Sequence, residues 1–337
     1  MKKIIASALS AVLAAGMLAG CSSSTSTETS TADSGSGKTY HVTIVKQLDH
    51  ASLDQIANAI TKELDALAKK NNVRIDYGEV QSGQNDQTTI KQITDQAVSD
   101  GTDAIIPIAT LAAQTAYVSA EESETPVIYA AVSDPKAAEL TGLKNVTGTS
   151  DALNTKQIID MMLSVNPDIR TVGLLYSKSE TNSTNPIREA KDYLDKKGIK
   201  YVEATGNTND EVVTAASSLI SDKVDAVFTP TDNVVMAAEA SIADKFADAG
   251  IPHYTGADSF VTAGAFTTCG VNYDDLGKKT ADLAYEAITK GFDDLKDSYT
   301  MDGGIITVNT DTAKKLGIDY SSFKDFGKVV EVTTSAQ

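Results

Sequence analysis

Hydroxyl, amide and carboxylate side chains follow the short apolar runs of this 337-residue chain, where each run gives way to a helical pattern. In open parallel sheets, ligands bind beyond the carboxyl ends of the strands, where helix N-termini present free N–H groups. These positions therefore predict a ligand-binding site. The candidate residues are Ser52, Thr110, Ser133, Asp134, Ser177, Ser179, Asn182, Thr231, Asp232, Asn233 and Asp258.

The residue types at these turns indicate which ligands fit. Carboxylates are present, no Arg accompanies them, and Lys178 is the one cation. Such a set favours a cationic or hydroxyl-rich ligand group, while hydroxyls and helix N–H groups can hold a ligand carboxylate. A zwitterionic amino acid meets both demands, and a neutral sugar or nucleoside meets the first about as well.

A structural role is the alternative for each of these residues. Ser, Thr, Asp and Asn are the usual helix N-caps, so Ser52, Thr110 and Asp232 can be explained by capping alone. Asp134 precedes Pro135 and can equally belong to a turn.

Catalytic and metal-binding motifs are absent from the sequence. There is no Gly-x-Ser-x-Gly, Gly-rich phosphate loop, His-Glu-x-x-His or Cys-x-x-Cys segment. A zinc or manganese site could use His50 and His253 with Asp49 or Asp258, but no local pair of ligands supports it. We therefore expect a binding protein without cofactor or metal, and not an enzyme.

Short β-branched runs alternate with helical patterns from Tyr40 onward, which predicts βαβ units and parallel sheets. The predicted strands are His41–Val45, Arg74–Val80, Ala104–Ile108, Val127–Ala131, Thr171–Tyr176, Lys200–Ala204, Ala226–Thr229 and Pro252–Tyr254. The first predicted helix begins near Leu53. The others span Thr88–Val98, Leu111–Ala120, Ile187–Lys197, Glu211–Ile220, Val234–Ala249 and Leu276–Lys290.

The two halves of this pattern are similar in detail. Segment Ser99–Ala104 matches Ser221–Ala226, and Pro126 and Pro252 open corresponding strands. Chance similarity between α/β units is the alternative. We expect two doubly wound lobes: an N-terminal lobe of residues 40–148 plus 272–300 and a C-terminal lobe of residues 149–271 plus 301–332.

Three Gly-bearing extended segments are candidate crossings between the lobes: Val146–Thr149, Thr268–Val271 and Asp302–Gly304. Three crossings imply a cleft whose walls are the carboxyl ends of both sheets. Gly148, Gly270 and the Gly303–Gly304 pair would absorb dihedral changes when the lobes close.

The first 20 residues resemble a bacterial lipoprotein signal peptide. Two Lys precede an apolar run, and Leu18–Cys21 resembles a lipobox, which implies a lipidated Cys21 as the mature N-terminus. An ordinary signal peptide or a membrane anchor is the alternative, although the run is shorter than the ~20 residues of a spanning helix. Residues 21–39, rich in Ser and Thr, predict a flexible tether.

The formal net charge is −17, and removal of the signal with Lys2 and Lys3 makes it −19. An acidic surface argues against nucleic acid and against direct adhesion to anionic lipid, so we expect membrane attachment through Cys21 only. Cys269 would then be the remaining thiol, and its apolar context predicts a buried, inert side chain.

Ten short segments, taken in their order along the chain, resemble those of one protein family. They are Ile44–Val45, Leu48–Asp54, Ile108–Thr110, Ala112–Gln114, Ala131–Pro135, Val146–Gly148, Leu175–Ser183, Pro230–Asn233, Gly270–Tyr273 and Leu276–Gly277. The family comprises the substrate-binding lipoproteins of ABC importers with a type I periplasmic-binding-protein fold, in the subgroup associated with tryptophan and other aromatic amino acids. The resemblance covers nearly all of residues 40–325. Ala51 and Ser52 stand where Pro-Ala is usual.

The resemblance implies an extracytoplasmic receptor, anchored on the outer face of the bacterial membrane, that delivers an apolar or aromatic L-amino acid to an ABC permease and its ATPase. The ammonium candidates are Asp134, Asp232 and Asp258. The aromatic candidates for flanking the ligand are Tyr129, Tyr176, Tyr254 and Tyr273. A sugar or nucleoside receptor and a ligand-sensing or adhesive surface lipoprotein are the alternatives.

Overall fold

The computed structural model describes residues 37–335; the predicted signal peptide, Cys21 and most of the predicted tether lie outside them. The strands are β1 Thr39–Lys46, β2 Arg74–Asp76, β3 Gln81–Ser82, β4 Ala104–Ile108, β5 Val127–Tyr129, β6 Val146–Ser150, β7 Thr171–Tyr176, β8 Lys200–Thr205, β9 Ala226–Thr229, β10 His253–Thr255, β11 Thr267–Gly270, β12 Tyr299–Thr300, β13 Ile305–Asn309 and β14 Lys328–Val332. The helices are α1 Ala51–Asn71, α2 Gln87–Ser99, α3 Thr110–Ala120, α4 Thr155–Val165, α5 Thr181–Lys197, α6 Asn209–Ser221, α7 Asn233–Asp248, α8 Asp258–Thr262, α9 Tyr273–Lys290 and α10 Thr310–Leu316, with a 3-10 helix at Ser321–Asp325.

The first sheet has the order β12-β6-β5-β4-β1-β2, with β3 also paired to β1, and all its pairs are parallel. Neighbouring residues of one strand point to opposite faces. Ile44 therefore packs in the core beneath α1 and α9, whereas Val45 packs in the core beneath α2 and α3. Helices on both faces make this lobe doubly wound.

The second sheet has the order β14-β13-β11-β10-β9-β7-β8 and is parallel except for the β11–β13 pair. Leu175 and Val227 belong to the core under α6 and α7, while Leu174 and Phe228 belong to the core under α4 and α5. Two α/β lobes with mostly parallel sheets confirm the expected fold class.

The chain passes between the two sheets at the three predicted segments. Strand β6 belongs to the first sheet and leads to α4, β11 of the second sheet leads to α9, and β12 of the first leads to β13 of the second. Gly304, in the third segment, has φ +86°, a conformation that favours glycine. The carboxyl ends of both sets of parallel strands thus face a common interlobe space.

Two element boundaries differ from the sequence prediction by more than three residues. Helix α5 begins at Thr181, six residues before the predicted start, because Pro186 is accommodated inside the helix. The predicted strand Arg74–Val80 ends at Asp76, where Gly78, with φ +56°, turns the chain before β3. Within residues 37–335, no helix is long and apolar enough to cross a membrane.

Candidate functional site

A small cavity of about 20 Å³ lies between the lobes at the carboxyl ends of the strands. It is lined by His50, Ser52, Leu53, Ala109, Ala131, Ser133, Asp151, Asn182, Thr231, Asp232, Asn233, Met236, Ala257, Phe260 and Tyr273. No Lys or Arg is among them. A volume of this size holds about one water molecule, so the lobes or the lining side chains must move apart to admit a larger ligand.

The lobes contact one another directly around this cavity. Ser133 Oγ and Thr231 Oγ1 lie 3.0 Å apart, and His50 Nε2 lies 3.0 Å from Asn233 Oδ1. Burial lowers the pKa of His50, which favours a neutral ring. Ser52 of α1 also forms a hydrogen bond with Ser259 of α8. The structure is therefore a closed arrangement of the two lobes.

Of the ten α-helices within residues 37–335, four begin without a side-chain capping hydrogen bond: α1, α3, α5 and α8. The N-cap residues of three of them, His50, Ala109 and Ala257, line the cavity. The other six begin at capping Asp, Asn or Thr side chains. Free N–H groups at helix starts attract anions, so the uncapped starts suit a ligand carboxylate.

The start of α3 has two further unusual features. Ala109 has φ +78° and ψ 164°, a conformation found almost only in glycine. The hydroxyl of Thr110 is buried and has no hydrogen-bond partner in the structure. A buried polar group without a partner is costly, so both features indicate a place where a ligand completes the local hydrogen bonding.

Asp151, which the sequence analysis did not propose, is one of the residues that line the cavity. Its Oδ1 accepts a hydrogen bond from Ser133 Oγ at 2.8 Å, and its Oδ2 accepts one from Tyr273 OH at 3.1 Å. Burial raises the pKa of Asp151, because a charged carboxylate is poorly solvated there. Its position directly after strand β6 was the available signal, but that segment was interpreted only as a hinge.

Asp232 lines the same cavity, but both of its carboxylate oxygens accept hydrogen bonds from its own lobe. Oδ1 accepts from Val235 N, as an N-cap does, and Oδ2 accepts from Ser177 N and Ser183 Oγ. Burial and the nearby Glu180 carboxylate raise the pKa of Asp232 to about 7. The contacts therefore show the capping role for this residue.

The other two ammonium candidates differ from each other. Asp258, next to the cavity residue Ala257, has a buried Oδ1 without a partner, and burial raises its pKa. Asp134 accepts hydrogen bonds from Ala137 N and from the Asn185 side chain and lies in a separate surface groove.

The remaining predicted residues are divided between the cavity and its surroundings. Asn182 lines the cavity and donates to Thr231 O at 2.6 Å. Ser177 and Ser179 hydrogen-bond to each other, and Ser177 also donates to Asn207, so both are engaged beside the cavity.

Of the four tyrosines proposed to flank the ligand, Tyr273 lines the cavity. The hydroxyl of Tyr129 donates to Asp297 O, and that of Tyr176 donates to Glu203. Tyr254 is buried against Phe266 in the C-terminal lobe. These contacts place Tyr273 alone of the four in the cavity wall.

The two histidines of the possible metal site have different surroundings. His253 is buried in the C-terminal lobe, where it contacts Glu239 at 3.0 Å and Thr229 at 2.8 Å, whereas His50 lines the cavity. Within residues 37–335, no group of three His, Cys, Asp or Glu side chains has the arrangement of a metal site.

Comparison with known proteins identifies the family. The family model described as ABC transporter substrate binding protein matches residues 41–323. The chain belongs to this family. The substrate-binding protein is 33% identical over 326 residues to a tyrosine-binding protein of Clostridioides difficile (strain R20291), a match that covers 94% of the chain and 92% of that relative.

Two solved structures carry the same architecture. A domain from Streptococcus pneumoniae in complex with L-Trp is 27% identical, with a TM-score of 0.77 over 87% of this chain and all of that one. A ligand-free, open substrate-binding protein with adhesive properties from Clostridium difficile is 31% identical, with a TM-score of 0.65 over 88% of this chain and all of that one. The expected family and type I periplasmic-binding-protein fold are confirmed.

The substrate-binding proteins of ABC importers bind small molecules, work with an ABC transporter and act outside the cytoplasm. Amino-acid binding in the interlobe cleft agrees with the ligands named for the C. difficile and S. pneumoniae relatives.

Proposed function

We propose that this substrate-binding protein captures an aromatic L-amino acid in the interlobe cavity and delivers it, chemically unchanged, to an ABC permease and its ATPase. The observation that carries the proposal is the pairing of a buried carboxylate, Asp151, with an uncapped helix start at α3, in a cavity without Lys or Arg. The relatives named for tyrosine and L-Trp support the same ligand class.

Asp151 is the best partner for the ligand ammonium. Its two hydrogen bonds come from neutral hydroxyls, so its buried charge has no cationic partner in the cavity. A ligand ammonium would be the missing cationic partner, and its positive charge would lower the pKa of Asp151. Asp258, with its unpartnered Oδ1 near Tyr273, is a second contact for the same group.

The ligand carboxylate is held by the start of α3. The Thr110 hydroxyl offers a donor without a positively charged side chain, and so do the first-turn N–H groups other than that of Leu111, which donates to Gln47 Oε1. This arrangement explains how a cavity without Arg accommodates a carboxylate.

The rest of the cavity surrounds the ligand side chain. Leu53, Met236 and Phe260 supply apolar and aromatic surface, while smaller polar groups from both lobes orient the ligand. The polar contacts that we propose are Ser52, Ser133, Asn182, Thr231 and Asn233.

A thermal-shift screen tests the ligand class. L-Tyrosine, L-tryptophan and L-phenylalanine should raise the melting temperature, because ligand at about 100 times Kd adds about 2.7 kcal/mol to the free energy of unfolding. The D-enantiomers, ribose and nucleosides serve as matched controls. Stabilisation by ribose or nucleosides alone would replace the amino-acid proposal with a sugar or nucleoside receptor.

We further propose that the mature protein is anchored by lipid on Cys21, on the evidence of the Leu18–Cys21 motif. The Cys21→Ala variant should fold normally and move from the membrane to the soluble extracytoplasmic fraction. Retention of that variant on membranes lacking the permease would show that the anchor is something else.

A further inference from the structure

A line of buried hydrogen bonds joins the lobes beside the ligand cavity. Gln47 Nε2 donates to Glu180 Oε1 at 2.6 Å, and Asn233 Nδ2 donates to Glu180 Oε2 at 2.7 Å. Gln47 follows β1 in the N-terminal lobe, and Glu180 precedes α5 in the C-terminal lobe. Their exposed fractions are 0% and 4%, and neither lines the cavity. The contact thus connects the lobes without touching the ligand.

The N-terminal lobe fixes the orientation of the Gln47 amide before the lobes meet. Leu111 N donates to Gln47 Oε1 at 3.2 Å, and Gln47 Nε2 also donates to Asn85 Oδ1 at 2.9 Å. Because the Leu111 N–H requires an acceptor, the amide oxygen faces α3 and the amide nitrogen faces the other lobe. The donor is therefore preorganised.

The C-terminal lobe fixes the acceptor in the same way. Glu180 stands at the N-cap of α5 but makes no capping hydrogen bond, so its carboxylate is free for other contacts. The side chain of Asn233, at the start of α7, holds Oε2 and leaves Oε1 for Gln47. Each lobe thus presents one half of a hydrogen bond that forms only when the lobes close.

We propose that Gln47 and Glu180 are positioning residues that form an interlobe latch, which stabilises the closed lobes from outside the cavity and slows ligand release. A charged acceptor strengthens such a bond, and closing without the Gln47 donor would leave the Glu180 carboxylate buried with one hydrogen bond fewer. The latch acts on whichever ligand the cavity holds, and its effect on release rests on the proposed function.

Ligand-release rates test the latch in a double-mutant cycle. The variants Gln47→Leu, Glu180→Ala and the double variant are compared with the unaltered protein by stopped-flow release of L-tyrosine and L-tryptophan. Each single change should speed release about tenfold or more, and the double variant should be no faster than the faster single variant. The exposed-site variants Gln81→Leu and Glu189→Gln should release ligand at the unaltered rate.

Multiplying effects in the double variant, or release rates unchanged in all three, would overturn the latch. If Gln47→Leu loses stability through its Leu111 contact, Glu180→Ala still gives the test, since it leaves the contacts of Gln47 within its own lobe intact. If the unaltered protein binds neither amino acid, the proposed function fails alone. Small-angle scattering of the ligand-free proteins then decides: a larger radius of gyration in the variants supports the latch, and equal values overturn it.

Discussion

The starts of α3 and α7 both reach the interlobe cavity, but they are built in opposite ways. Helix α7 is capped by Asp232, whose two oxygens accept three hydrogen bonds from its own lobe. Helix α3 is preceded by Ala109, which has no capping side chain, and Thr110 keeps an unpartnered hydroxyl. The first start is complete in the protein alone, whereas we propose that a ligand completes the second.

The carboxylates of the cavity show the same difference. Asp232 is held by two backbone N–H groups and a hydroxyl, which is the environment of a structural cap. Asp151 is held by two hydroxyls at the meeting point of the lobes. We infer that Asp232 contributes mainly to stability and Asp151 mainly to ligand affinity, and the two roles can be separated by mutation.

The largest expected effect is on affinity in Asp151→Asn. Loss of the charge opposite a desolvated ammonium should weaken binding of L-tyrosine or L-tryptophan by about 2–5 kcal/mol, measured by titration calorimetry. The ligand-free melting temperature should stay equal or rise, because a buried charge is removed. The exposed Asp192→Asn is the matched control, and normal affinity in Asp151→Asn would place the ammonium elsewhere.

The reverse result is expected for Asp232→Ala. Loss of the cap alone should reduce the free energy of unfolding by about 1–2 kcal/mol, with a further loss from the unpaired Ser177 N–H. Asp232→Asn should recover only part of this loss, because Asn caps nearly as well but its amide nitrogen cannot accept from Ser177 N. Denaturant unfolding checks both variants; a loss of affinity without a loss of stability would assign Asp232 to the ligand instead.

A pH dependence should follow from the same buried acid. The pKa of Asp232 is raised from 3.8 to about 7 on folding, so between these values the folded state binds more protons than the unfolded state. Stability should therefore fall as pH rises through this range. Burial also raises the pKa of Glu180 and Asp151, with the same sign. Urea midpoints measured across this range should show a shallower decline in Asp232→Asn; an equal slope would mean that Asp232 does not titrate there.

The smallest effect is expected for Thr110→Val. Loss of one neutral hydrogen bond to the ligand carboxylate should weaken binding by about 0.5–1.5 kcal/mol. Ligand-free stability should not fall, since the hydroxyl has no partner in the protein. Thr289→Val, on the exposed face of α9, controls for the threonine-to-valine change. Titration calorimetry compares the ligand affinities of the two variants. Reduced stability with unchanged affinity would indicate a structural hydroxyl.

The fold was predictable because its signals are local. Alternating β-branched runs and helical patterns located the strands, and the similarity of the two halves indicated two lobes. The start of α5 was missed because Pro186 normally ends a helical pattern, and here it lies inside one.

The site was less accessible to sequence reasoning. Residues that follow strands, such as Ser133 and Thr231, could be proposed from position alone, and the structure places them in the cavity. Asp151 lies just after the crossing segment Val146–Thr149, where extended residues with Gly indicated only a hinge, whereas Tyr273 was among the four aromatic candidates. Whether a carboxylate already accepts hydrogen bonds from the protein depends on contacts between distant segments, such as Ser177 N to Asp232. No local sequence pattern contains such a contact.

In the proposed complex, the ligand ammonium lies at Asp151 and the ligand carboxylate lies at the start of α3. A crystal structure of the protein with L-tyrosine or L-tryptophan bound tests it most directly. We expect the ammonium within hydrogen-bond distance of Asp151, and the carboxylate on the Thr110 hydroxyl and on first-turn N–H groups of α3 other than that of Leu111. An amino acid bound in the opposite orientation, or outside the interlobe cavity, would contradict this placement of the ligand.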